Sequence, residues 1–172
     1  MIKTLMKSIR QYRKESILSP IFVTVEVFIE MFIPYVMGWL IDDGIMKGNT
    51  SLITKLGLFL LLMAFISLMF GIGASYFSAK AAAGFAANLR KDMFYNTQNF
   101  SFENIDKFSS SSLVTRLTTD INNIQLAYQM VIRIAVRAPL MLIVSIVMAF
   151  VVNAKLAIQF VIIAPIMAIL LA

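Results

Sequence analysis

The chain contains no cysteine and no histidine. The first absence removes any disulfide framework and any thiolate metal site. The second removes the usual general base at neutral pH and the commonest metal ligand. Hydrolytic chemistry carried by these residues alone is not expected. Charge is scarce as well: 14% of the 172 residues are Asp, Glu, Lys or Arg, against roughly 25% in a soluble domain. Phosphate-binding signatures are missing too. No G-x-x-x-x-G-K-[ST] occurs, and Gly71-Ile72-Gly73 lies inside an apolar run where it reads as helix packing. What is abundant is apolar side chain, at 60% of the residues, with a mean hydropathy of +0.85. The solvent for most of this chain is lipid, and its long apolar runs decide the fold. The net charge of +6 then sits beside apolar spans, which points to a membrane face and not to nucleic acid.

Residues 1–15 read as an interfacial amphipathic helix. Ile2, Leu5, Met6, Ile9 and Tyr12 share one face, and Lys3, Lys7, Arg10 and Lys14 the other. Arg13 must snorkel. A signal peptide is the rival reading. It fails because the following apolar stretch is too long, holds two glutamates and lacks a small-residue cleavage site. Spans are expected at about 17–40, 52–79, 134–152 and 156–172, each near the length needed to cross a bilayer. A short polar loop, 41–51, joins the first two. The second span passes without a strong breaker into a charged, Ala-rich stretch up to Phe100, so one helix is expected to leave the membrane and run about 35 Å further. Ser75, Ala79, Ala83 and Ala87 recur every four residues on it, a spacing that lets helix backbones approach closely. The fourth span is still apolar at Ala172, which reads as a chain cut inside a membrane helix.

Basic residues set the expected orientation. Five precede the first span, one lies in loop 41–51, seven fall between Lys80 and Arg137, and one is at Lys155. The N-terminus and loop 80–133 therefore face the cytoplasm. Within that loop the serines at 109–112 cap a short helix. Leu113 and Leu117 offer apolar contacts there, and Arg116 and Asp120 offer charges, as a foot for a soluble partner. The bland alternative is that these residues only fix a turn, with Asp120 capping the next helix and Arg116 paired to it.

Glu26 and Glu30 lie one turn apart in the first span. Glu26 is about 13 Å into the bilayer. Ionisable groups at that depth are costly and face a cavity or a partner. Pro34 has no N–H, so the carbonyl of Glu30 loses its helical donor. Together the three form a candidate substrate pathway. The alternative is a structural pair with a base on a helix missing from this sequence, or a protonated glutamate bonded to a neighbour. Arg133, Arg137 and Lys80 are all expected near the inner interface, so no base of this chain is expected to reach the glutamates.

Three segments carry a family resemblance. They are Asn88-Leu89-Arg90-Lys91-Asp92-Met93-Phe94 followed by Ser111-Ser112-Leu113-Val114-Thr115-Arg116-Leu117-Thr118-Thr119-Asp120; Leu40-Ile41-Asp42-Asp43-Gly44-Ile45 with Gly48; and Ile132-Arg133-Ile134-Ala135-Val136-Arg137-Ala138-Pro139-Leu140. In this order and spacing they resemble the first intracellular loop, the first outer loop and the opening of the third span of bacterial ABC exporter half-transporters of the multidrug type. Many members have glycine where Ser110 or Ser111 stands. The resemblance implies an all-α membrane protein with long transmembrane helices extended into the cytoplasm, here the N-terminal part of the transmembrane domain over 16–172. It implies a plasma-membrane, multi-pass exporter of hydrophobic or amphipathic small molecules. A coupling helix, with Ser111, Leu113, Arg116, Leu117 and Asp120, would seat on a nucleotide-binding domain. ATP and Mg would bind in that domain and not in this segment. A second half-transporter completes the pump, a heterodimer being favoured over a homodimer, with membrane lipid around it and no nucleic acid. The other class left open is a non-ATPase module, such as a piece of a secondary transporter or a membrane-anchored interaction protein. Paired acids on broken helices would favour it, and the long cytoplasmic helices favour the exporter.

Overall fold

The computed structural model describes residues 6–99 and 110–155, together with 157, 158 and 163. Among these every element is helical. A single 3-10 turn at Arg10–Tyr12 leads into α1, Arg13–Trp39, which continues as a π-helical segment at Leu40–Ile45. α2 is Thr50–Gln98. α3 is Ser110–Thr115, and a π-helical Arg116–Asp120 joins it to α4, Ile121–Val152. Three stretches, Arg10–Ile45, Thr50–Gln98 and Ser112–Val152, are long and apolar enough to cross a membrane by length and composition. The expected fourth span falls almost wholly outside the described residues, as do Ile2, Lys3 and Leu5 and the segment 100–109.

The unbroken α2 follows from its sequence. No proline occurs between Tyr35 and Ala138, so nothing removes an interior hydrogen bond. Its start is fixed at a turn. Gly48 has φ +64°, a left-handed conformation that glycine adopts without strain. Asn49 Oδ1 then accepts from the Leu52 N–H at 3.1 Å, capping the helix. Asp43 accepts from Lys47 Nζ at 2.6 Å, and this bond holds the lysine ammonium above its ordinary range. The expected loop 41–51 is thus shorter than its polarity suggests, because Leu40–Ile45 stays helical.

The chain divides into two compact units, residues 1–22 with 72–135 and residues 23–71 with 136–172. The first unit has its core at Ile9, Phe85, Ala86, Leu89 and Ile121, with Met93, Leu117, Ile124 and Tyr128 packed against it. The Phe85 ring stacks on Tyr128 at 4.6 Å. The segment before α1 is fastened to α2 by polar contacts. Asn88 Nδ2 donates to the Ser8 carbonyl at 2.8 Å, and Ser8 Oγ donates to Asp92 Oδ2 at 2.9 Å. Arg10 pairs with Asp92 Oδ1 at 2.7 Å while its own φ is +41°. That left-handed residue interrupts the helix expected over 1–15, and of its apolar face Met6 is exposed while Ile9 is buried.

The packing stripe on α2 also differs from expectation. Ala79, Ala83 and Ala87 are exposed, whereas Ala74, Ser78, Ala82, Phe85 and Leu89 are buried. An Ala-rich helix offers small residues on several faces. The choice between them falls to the residues that make specific contacts: Asn88 on Ser8, and Gly84, whose missing Cβ leaves room for the Tyr12 ring.

Candidate functional site

In the second unit α1 and α4 bring three charged side chains together. Arg137 Nη1 donates to Glu26 Oε1 at 2.9 Å. Its Nη2 donates to both Glu30 oxygens, at 3.0 Å and 2.8 Å. One guanidinium therefore bridges two carboxylates one helical turn apart, which its planar fork does better than an ammonium could. The Glu26 side chain is 8% exposed, Glu30 30% and Arg137 28%. Glu26 Oε2 is buried and makes no hydrogen bond. With both carboxylates ionised, the three groups sum to one negative charge.

The expectation that no base of this chain reaches the glutamates is overturned by Arg137. Sequence reasoning placed a cation by its distance from the apolar run, and Arg137 stands where that run opens. What the rule misses is that two carboxylates on one helix face create a site for an arginine fork. The demand of two membrane acids for a counter-ion was the signal, and Arg137 falls inside the expected span 134–152. Gly71 is a second residue missed. A Cβ there would stand 3.0 Å from Glu26 Oε1, so this glycine leaves room for the carboxylate. Pro34 lies one turn beyond Glu30 and lines a recess of about 390 Å³ with Tyr35, Trp39 and Asp42. Neither glutamate lines that recess. The structure thus joins Glu26 to Glu30 through Arg137 and places Pro34 beside a different feature.

The second group of expected residues lies in the first unit. α3 and the π-helical segment run into α4 as one helical stretch from Ser110 to Val152. Asp120 is consequently inside a helix and caps nothing, and no ion pair joins it to Arg116 among the described residues. Leu117 is not a free apolar contact. It packs against the core of Phe85, Leu89 and Ile121, and its carbonyl accepts from Arg90 Nε at 3.1 Å. Arg90 Nη2 also donates to Asn122 Oδ1 at 3.2 Å, so Arg90 clasps the segment to α2. The residues turned outward are Arg116, Asp120 and Val114, the last 60% exposed. Leu113 is half-buried. The side chain of Ser111 lies outside the described residues.

Residues 16–172 match the ABC transporter transmembrane region. The chain belongs to that family. Among its relatives are an uncharacterized ABC transporter ATP-binding protein of Mycobacterium tuberculosis, 31% identical over 98% of this chain, and another of Bacillus subtilis, 33% identical over 86%. A Rickettsia bellii protein whose name proposes it as an export ATP-binding/permease protein is 26% identical over 89%. The chain spans 29% of the mycobacterial relative's length and 26% of the Bacillus one's. As a transmembrane region of an ABC transporter, it is a multi-pass membrane protein, and among the described residues α1, α2 and α4 are suited to spanning. The arginine-bridged acids lie on two of those helices.

Proposed function

We propose that this chain is the permease segment of an ATP-driven exporter for hydrophobic or amphipathic compounds, with positively charged ones preferred. The observation that carries the preference is the buried Glu26 oxygen without a donor, beside a cluster whose single cation serves two carboxylates. Such a cluster attracts a cation and repels an anion, and low dielectric strengthens both effects. Family membership and the Rickettsia relative's name support export. The outward residues Val114, Arg116 and Asp120, with Leu113, supply the contact to a nucleotide-binding domain, which binds ATP and Mg. A second half-transporter, different from or identical to this one, completes the assembly in the plasma membrane. Glu26 and Glu30 belong to the substrate pathway, and Pro34 contributes to it through the separate recess it lines with Tyr35, Trp39 and Asp42.

The test uses inside-out vesicles containing the full-length protein with its partner half. ATP should drive accumulation of a lipophilic cation, and dissipating the proton gradient should leave it intact. Accumulation that follows the proton gradient and ignores ATP would instead make this a secondary transporter.

A further inference from the structure

We infer that the first unit holds a binding groove for an anionic phospholipid, between the segment preceding α1, the start of α1 and the early part of α4. The groove has a volume of about 650 Å³, within the range of ligand sites. Its walls are Met6, Ile9, Ile17, Val131 and Ile132. Met6, Ile17 and Val131 are each more than half exposed, so the apolar surface is open.

The polar groups on its floor are already satisfied by one another. Ser16 Oγ donates to the Tyr12 carbonyl at 2.8 Å, and the Tyr128 hydroxyl can then donate to Ser16 Oγ at 2.8 Å. A floor whose hydroxyls are paired internally asks nothing of its occupant and suits a hydrocarbon chain. Charge completes the picture. Lys7 and Arg13 line the same groove, are exposed, and form no ion pair among the described residues. Their neighbours differ: Arg10 is held by Asp92 and Lys80 by Glu15. An apolar trough with two uncommitted cations, at the start of a helix suited to spanning, complements an amphiphile with an anionic head. In a membrane protein that amphiphile is an anionic phospholipid, with its phosphate on Lys7 and Arg13 and an acyl chain along Ile17 and Val131.

The full-length protein, purified in a non-ionic detergent, is titrated with phosphatidylglycerol or phosphatidylcholine, and bound lipid is counted by native mass spectrometry. Phosphatidylglycerol should bind more tightly. Lys7→Ala and Arg13→Ala should each weaken it about fivefold and leave phosphatidylcholine unchanged. Arg13→Lys should retain most of the affinity. Unchanged phosphatidylglycerol binding in both alanine variants would overturn the inference. So would equal competition by inorganic phosphate, which would make this a simple anion site. Val131→Cys, with any cysteine outside these 172 cysteine-free residues replaced by serine, checks the remaining occupant. Cross-linking between copies that phosphatidylglycerol does not suppress would assign the groove to protein and not to lipid.

Discussion

Arg137 and Glu26 are 111 residues apart in the chain and joined by a 2.9 Å hydrogen bond from Nη1 to Oε1. The bond ties α4 to α1 inside one compact unit and uses only one Glu26 oxygen. Structural and functional consequences both follow from that geometry, and they separate by mutation.

Arg137→Met should be strongly destabilising. It leaves two carboxylates in apolar helices without their cation, a loss of about 3–5 kcal/mol for a buried pair; partial exposure of Glu30 and Arg137 favours the lower end. The triple variant Glu26→Gln, Glu30→Gln, Arg137→Met should recover most of it. Thermal unfolding of the purified full-length protein measures both. An Arg137→Met variant as stable as wild type would remove the bridge from the account.

Two glycines on α2 should respond differently. Gly57 faces open space, so Gly57→Ala should add roughly 0.5–1 kcal/mol through backbone entropy. Gly71→Ala places a Cβ 3.0 Å from Glu26 Oε1, and Arg137 prevents the carboxylate from simply retreating. Gly71→Ala should therefore gain nothing in stability and weaken discrimination between cationic and neutral substrates. Equal effects at the two positions would mean that the close approach at Gly71 has no consequence.

Much of this was legible in the sequence. The apolar runs gave the all-helical membrane class, and the absence of proline from 36 to 138 accounted for the length of α2. The paired glutamates were visible because helical spacing is regular. Arg137 was not, because a contact between residues 111 positions apart leaves no periodic trace. The inward turn of Leu117 was hidden for a similar reason. Its amphipathic neighbourhood fits a docking face and an internal anchor equally well, and only the core of Phe85, Leu89 and Ile121 decides. At Ala79 and Ala83 small-residue spacing picked out a stripe that this segment leaves exposed, since alanine packs on any face and polar partners such as Ser8 and Asn88 set the register here.

That distinction sets the prediction for the foot. Leu117→Ala should reduce stability by about 2–3 kcal/mol, the lower part of the range for trimming a packed leucine, because Leu117 is half-buried. Val114→Asp should leave the fold intact, since Val114 is exposed. It should still lower substrate-stimulated ATP hydrolysis in the full assembly several-fold. Normal stimulation in a folded Val114→Asp protein would mean that this face contacts no motor domain.

Orientation has its own test. Single cysteines are introduced at Asn49 and Val114, both exposed, in a full-length protein with any cysteine outside these 172 cysteine-free residues replaced by serine. In intact cells an impermeant maleimide should label Asn49→Cys and spare Val114→Cys, and disrupting the cells should expose both. The reverse pattern would turn the topology over and place the foot outside.

The central claim is that the arginine-bridged acids select by charge, and a matched pair of substrates measures it most directly. One is a quaternary ammonium amphiphile and the other its uncharged carbon isostere, transported by the full-length assembly in proteoliposomes. Glu26→Gln keeps the shape of the side chain and removes its charge, turning the cluster from one net negative charge to none. Transport efficiency for the cation should fall about tenfold and that for the isostere by less than twofold, with basal ATP hydrolysis unchanged. An equal fall for both compounds, or no change for either, would contradict the account and leave Glu26 a purely structural partner of Arg137.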